Sequence, residues 1–319
     1  MGAGARELAE LVGAELGRPA PPAATNLAER IRERHGAATA AVVFYGSCLR
    51  GGTNEGVLDF YALVDSYRAA YASRLLAAAN ALLPPNVFYL EAECGSERVR
   101  AKVAVISLAD FARGAAGHGL RTGIWARFCQ PALAVHVRDA SARAALVAAL
   151  VEAHLTAVGT IAPLLPEGKL LAWEQLWQRI FRETYAGEMR PEAAASVEKL
   201  YAADPVRYDR AGASALRELS LRAPAGLRAE VVEGGFRIER SPGGRSRVGF
   251  RLRRLLAKAA YVAQLLKTAF TFGDWLPYAL WKLERHTGTH IEPTERQRRH
   301  PLIFGWPILW RVLARRDLR

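Results

Sequence analysis

The chain has 319 residues, 51% of them hydrophobic and 24% charged, a content that describes a globular protein of two or three units and excludes a disordered or fibrous one. Its three cysteines, Cys48, Cys94 and Cys129, stand far apart without C-x-x-C spacing, which excludes a zinc ribbon or a disulfide framework and fits a reducing compartment. A formal net charge of +13 asks for an anionic partner.

The opening MGAGARELAELVGAELG has scattered acids and no apolar core, so it predicts neither a secretory signal nor a transit peptide, and Arg6 argues against myristoylation. A helix is expected over residues 5–16, then a loop, RPAPPAATN, in which Asn26 is the expected N-cap of a helix over 27–35. Strands follow at 41–45 and 57–64, joined through Gly46 and Ser47. Residues 68–83 read as one helix stopped by Pro84 and Pro85, and 87–93 and 99–106 as two strands linked by the turn-like CGSE. Ser107 caps a helix to about residue 116, and 132–137 form one more strand. The alternation predicts a first unit, residues 1–138, of α/β or α+β class with a mixed sheet.

From Ser141 the pattern turns helical, with helices expected at 142–158, 173–185, 192–202 and 204–219, which sets a second unit at 139–222. Residues 223–249 are rich in Gly and Pro around the strand-like FRIER and read as a hairpin or linker; with the basic helical tail that follows they make a third region, 223–319. From Arg228 onward 19 Lys and Arg face 8 Asp and Glu, against 25 and 23 before it, so the positive charge belongs to this region. The same region carries Trp275, Trp281, Trp306 and Trp310, and aromatic residues among cations favour an anionic membrane surface over nucleic acid. Lys258 and Lys267 interrupt the apolar run at 252–272, and 302–309 is shorter than the roughly 20 residues of a spanning helix, so the tail is expected to lie on a membrane. The alternative for 303–316 is a terminal helix packed on the core.

Residues 43–65, VFYGSCLRGGTNEGVLDFYALVD, carry the chemistry. A strand delivers Gly46 and Ser47 to a turn where a missing side chain lets backbone N–H groups approach phosphate oxygens, and a second strand opens with Asp59, a hard oxygen ligand suited to Mg²⁺. Read by itself, the Gly-Ser pair serves equally as an ordinary turn. Asp65 shares the parity of Asp59 but lies about 20 Å along an extended strand and reads as a strand-end cap. A further acid would come from a neighbouring strand, where Glu91 and Glu93 point the same way; the other reading of that pair is a solvated strand face. Lys102, a charge inside the apolar VRAKVAVIS, either snorkels or reaches phosphate, and the second is favoured.

FYGS with LDFYALVD, then AKVAVIS, ARFCQPA, and ETYAGEMR followed by EKLYAADP, come in the order of motifs of a known family. Over roughly residues 40–220 the chain resembles the mitochondrial-type phosphatidate cytidylyltransferases, the CDP-diacylglycerol synthases of the polymerase-beta nucleotidyltransferase superfamily. The resemblance implies an α+β fold, with a nucleotidyltransferase-type mixed sheet and flanking helices, then a helical, winged-helix-like domain, here followed by the basic C-terminal helical tail. It implies Mg²⁺-dependent transfer of CMP from CTP to phosphatidic acid, with Gly46 and Ser47 as the phosphate turn, Asp59 as the metal carboxylate and Lys102 as a catalytic lysine. Glu91 is the expected second metal ligand. Arg127 resembles the arginine of the family's Gly-Arg-x-x-Lys-Pro string, and Tyr185, Gly187, Glu188 and Arg190 resemble its Ser-Tyr-x-Gly-Asp-x-Arg string. The chain departs from the family at Cys48, where a small residue is usual, at Gln130 in place of lysine, and at Glu188 in place of aspartate. The expected partners are therefore CTP, phosphatidic acid and an anionic membrane surface, with no nucleic acid. The expected location is peripheral, on the cytoplasmic face of a bacterial inner membrane or the matrix face of a mitochondrial one. Two other readings share these residues: a nucleotidyltransferase-fold enzyme with a soluble acceptor, and a non-catalytic membrane-bound relative.

Overall fold

The computed structural model describes residues 2–95, 97–118, 123–187, 193–222, 226–240 and 267. Within them the chain is a mixed α+β protein whose larger sheet has five strands, β1 (Thr39–Tyr45), β2 (Val57–Val64), β3 (Asn86–Cys94), β4 (Glu97–Ser107) and β5 (Ala132–Val137). Their order is β3-β4-β2-β1-β5; β2 and β4 run parallel, and the other neighbours are antiparallel. β1 is buried along nearly its whole length, which is why TAAVVFY shows no polar alternation: helices cover both faces of the sheet. One face holds Val42, Phe44, Phe60 and Val103 and packs on Ala24, Leu27, Ala28 and Ile31 of helix α2 (Pro22–His35), the first helix after α1 (Ala3–Leu16).

Helix α2 starts earlier than its sequence suggests. Pro22 takes the first helical position, where its missing N–H costs nothing, so Asn26 lies inside the helix and is not its N-cap. A short helix, α3 (Ser47–Gly51), follows β1 directly. The segment expected as one helix at 68–83 is two, α4 (Tyr67–Ala70) and α5 (Arg74–Leu82), because Ser66 and Ser73 each cap a new first turn, accepting from Ala69 N and Leu76 N. Asn80 fastens α5 to the sheet: its amide donates to Val105 O at 2.9 Å and its Oδ1 accepts from Asn86 N at 2.7 Å. Lys267 donates to the carbonyls of Leu83 and Pro85, the latter at 3.0 Å, which ties one point of the basic region to the loop after α5. The tail tryptophans, and the tail's proposed membrane contact, lie outside the described residues.

Ser107 caps α6 (Leu108–Ala115) as expected, and α7 (Gly123–Phe128) precedes β5. Asp139 caps the long α8 (Ala140–Ile161), accepting from Ala142 N. Then come β6 (Leu170–Ala172), α9 (Trp173–Gly187), α10 (Ala193–Ala202), α11 (Pro205–Arg222), β7 (Arg228–Val232) and β8 (Gly235–Arg240). The hairpin at 228–240 pairs back on β6 in a second sheet ordered β6-β8-β7, which joins it to the helical unit. Helix α1 packs mainly on α11 and α8 and also on β5 of the large sheet, so it bridges the two units. Gly4 shows how close the contact with α11 is, since a Cβ there would stand 2.3 Å from Ser214 O, and Glu218 accepts from Ala5 N at 3.1 Å. One continuous core therefore joins the second face of the large sheet (Val43, Tyr61, Leu63, Ala104) to α1, α8, α9 and α11. Among the described residues α8 alone is long and apolar enough to cross a membrane by composition, yet most of its apolar window is buried in this core.

A buried polar knot fixes α11 in that core. Arg207, 4% exposed, donates to Glu15 at 2.8 and 3.2 Å, to Cys129 O at 2.8 Å and to His154 Nε2 at 2.8 Å. A guanidinium only donates, so His154 Nε2 must accept, which makes the imidazole neutral with its proton on Nδ1, donating to Leu150 O at 2.8 Å. Burial, with the charge of Arg207 added, depresses the His154 pKa to about 3. The unfolded chain protonates this group near 6.5 and the folded one does not, so His154 contributes stability that is complete above pH 6.5 and lost as pH falls toward 3. The slope attributable to it is about 1.4 kcal/mol per pH unit. Denaturant titrations between pH 7 and 4.5 are expected to show a shallower loss in His154→Gln, whose amide oxygen can still accept from Arg207; equal slopes would remove His154 as the cause.

Candidate functional site

β1 hands the chain to the turn at Gly46, whose φ of 94° and ψ of −162° lie where only glycine is relaxed. The same residue is pinned from the side: a Cβ on Gly46 would meet Asp59 Oδ2 at 2.8 Å, so the Asp59 carboxylate rests directly against the turn. The strand register causes this, since Tyr45, the last residue of β1, pairs with Asp59 near the start of β2. Asp59 pairs in turn with Lys102 on β4, and Lys102 with Tyr89 on β3, so Tyr45, Asp59, Lys102 and Tyr89 form one row across four strands on one face of the sheet. Asp59 is half-buried, while Ser47 and Lys102 are exposed.

Two sequence departures are explained locally. Cys48, 7% exposed, lies under the turn with its Sγ 3.5 Å from Val57 O, and the space it takes is left by Gly56, where a Cβ would stand 3.0 Å from that sulfur. Gln130 is buried at the end of α7; its amide donates to Ala126 O at 2.9 Å and its Oε1 accepts from Arg50 Nη1 at 3.0 Å. Arg50 rides on α3, so this bond ties the helix after the Gly46 turn to the α7–β5 junction. Sequence reading passed over Arg50; its signal was the LRGG step that ends the short helix. Arg127, on the same α7, is half-buried and donates to Gly123 O at 2.8 Å.

Glu91 is not brought to Asp59. It lies two strands away at about 4.8 Å each and one two-residue step lower, roughly 7 Å. Its carboxylate accepts the Tyr89 phenol at 2.7 Å and stands 3.4 Å from Arg100 and 3.8 Å from Arg98. Glu93 is exposed opposite Arg98. Asp65 pairs with Arg138 at the other end of β2. Tyr185 and Gly187 end α9, while Glu188 and Arg190 lie outside the described residues. No group of three or more His, Cys, Asp or Glu side chains fit to hold a metal occurs among the described residues. The site thus offers one carboxylate, an in-register ammonium and a glycine turn. That set suits Mg²⁺ only in the manner common for this ion, with one carboxylate and the rest of its shell from substrate phosphates and water.

No protein-family model matches the chain, and no curated protein matches it.

Gly46→Ala tests the turn. Placing an L-residue at positive φ costs about 1–2 kcal/mol, and the new methyl must push the Asp59 carboxylate aside. The variant is expected to unfold at lower denaturant, with a stability loss of about that size. Unchanged stability would show that the turn is not held as described.

Proposed function

We propose that the chain is a nucleotidyltransferase that passes CMP from CTP to phosphatidic acid, giving CDP-diacylglycerol and pyrophosphate at a membrane surface. The observation that carries this reading is the Asp59 carboxylate seated on the Gly46 turn with Lys102 in register beside it. A strand, a glycine turn, an antiparallel strand opening with a carboxylate and a parallel third strand support a nucleotidyltransferase-type sheet. The succession α8–β6–α9–α10–α11–β7–β8, with the hairpin closing on β6, supports a winged-helix-like second domain. The cationic, tryptophan-bearing tail supports a peripheral membrane location, with an anionic surface as partner.

The phosphate of phosphatidic acid is already an oxyanion at neutral pH, so attack on the α-phosphorus of CTP needs no strong base. One P–O bond forms, the α–β anhydride bond breaks, and the electron pair leaves with pyrophosphate. The work of the protein is positioning and charge neutralisation. Turn amides at Gly46 and Ser47 face the triphosphate, Lys102 offsets the charge that builds on the leaving group, and Arg127 and Arg190 are candidates for the remaining phosphate charge. Asp59 would hold Mg²⁺, which supplies electrostatic stabilisation of the transferring phosphoryl group.

Incubating the protein with α-labelled CTP, Mg²⁺ and phosphatidylcholine vesicles tests the proposal. Label is expected in the lipid phase only when the vesicles contain phosphatidate. Transfer to a water-soluble acceptor instead would keep the enzyme class and discard the lipid.

A further inference from the structure

Arg98, Arg100 and Lys102 alternate along β4, so all three project from the face that carries Asp59. Across from them on the edge strand β3 stand Glu93, Glu91 and Tyr89. Three groups converge on Glu91: the Tyr89 phenol donates to it at 2.7 Å, and the guanidiniums of Arg100 and Arg98 stand in ion-pair contact, Nε at 3.4 Å and Nη1 at 3.8 Å. The inner two are fixed by packing, with Tyr89 3% and the Arg100 side chain 24% exposed, while Arg98, at 61%, faces solvent. Burial first, and the bond to Glu91 second, raise the Tyr89 pKa, so the phenol remains a donor across the physiological range.

We propose that Tyr89, Arg98 and Arg100 form a second anion site, a clamp for a phosphate monoester, in which Glu91 serves as the internal counter-ion when no ligand is bound. Glu91 brings one charge and two oxygens to three donors; a phosphate monoester brings nearly two charges and three oxygens, so it matches the donor set better and can displace the tethered carboxylate. Arg100 stands opposite Val57, one two-residue step of roughly 7 Å from the Asp59–Lys102 row. An anion in the clamp and a triphosphate at the Gly46 turn would therefore be neighbours on one sheet face. The role of the clamp, holding the acceptor phosphate, rests on the nucleotidyltransferase reading above; its existence as an anion site does not.

The full chain is titrated, without nucleotide, with glycerol 3-phosphate and separately with phosphatidylcholine vesicles with and without phosphatidate; CTP with Mg²⁺ is titrated in parallel. Arg100→Gln is expected to weaken phosphomonoester binding at least about tenfold. Glu91→Gln, which keeps an acceptor for Tyr89 and removes the competing charge, is expected to tighten it roughly threefold. Dependence on Arg100 seen with phosphatidate vesicles alone identifies a lipid headgroup, and dependence seen with glycerol 3-phosphate alone identifies a soluble ester; either supports the clamp. Absence of binding to both, or affinities in both variants equal to wild type, overturns it and leaves CTP binding as the separate test of function. An Arg100-dependent phosphomonoester affinity in a chain that binds no CTP keeps the clamp and discards nucleotidyl transfer.

Discussion

Asp59→Ala is expected to lower CTP-dependent formation of CDP-diacylglycerol by about 10³-fold or more, with the fold intact. The size follows from removing the one carboxylate seated on the Gly46 turn, at a step where charge neutralisation supplies most of the acceleration. The fold should survive because Asp59 is only half-buried, at the polar end of the sheet face, while the core residues along β2, Leu58 and Phe60 to Val64, are untouched. Asp59→Asn separates charge from shape: it keeps the contact with Gly46 and should be nearly as inactive. Full activity in either variant would take Asp59 out of the mechanism.

Arg207→Met is expected to be the most damaging substitution for stability, at about 3–5 kcal/mol. The cost comes less from the lost ion pair than from what remains behind. Glu15, 12% exposed at its side chain, would keep a charge with its guanidinium gone, and Cys129 O and His154 Nε2 would each lose a donor inside the core. Because Glu15 belongs to α1, Cys129 to the end of α7, His154 to α8 and Arg207 to α11, the variant should loosen all four elements together. Denaturant unfolding of wild type, Arg207→Met and the double variant Arg207→Met/Glu15→Met checks this. The double variant should recover part of the loss, since no charge is then left buried. A cost below about 1 kcal/mol for Arg207→Met would contradict the role assigned to the knot.

The strands of the large sheet are legible as β-branched or aromatic runs bounded by turn residues, with β5 at its observed limits and Cys94 pairing with Glu97 where a turn is expected, whereas β6, three residues of Leu and Ala, carries no such signal. The helix starts are less legible. Pro22 at a first helical position looks in sequence like loop punctuation, and the Ser73 cap that splits 68–83 is indistinguishable from a serine on a helix surface. Unit boundaries were the least legible, because α1 and the 228–240 hairpin join the helical unit through contacts more than 50 residues apart in sequence, Gly4 against Ser214 and β8 against β6. At the site, period-two spacing puts Glu91 and Glu93 on one side of their own strand, but it carries no information on which strands are neighbours or which faces they share: Asp59, Lys102 and Glu91 come to one face only through the observed register, and β4 lies between Asp59 and Glu91. The neutral state of His154 was equally out of reach, since it follows from a guanidinium 53 residues away.

The most direct test of the central claim is a calorimetric titration of CTP with Mg²⁺ into the full chain. Saturable binding is expected in the wild type, lost in Asp59→Asn and in Gly46→Ala. A wild-type protein that binds no nucleotide, or variants that bind it as tightly as wild type, would contradict the assignment of the Gly46 turn and Asp59 as a triphosphate site.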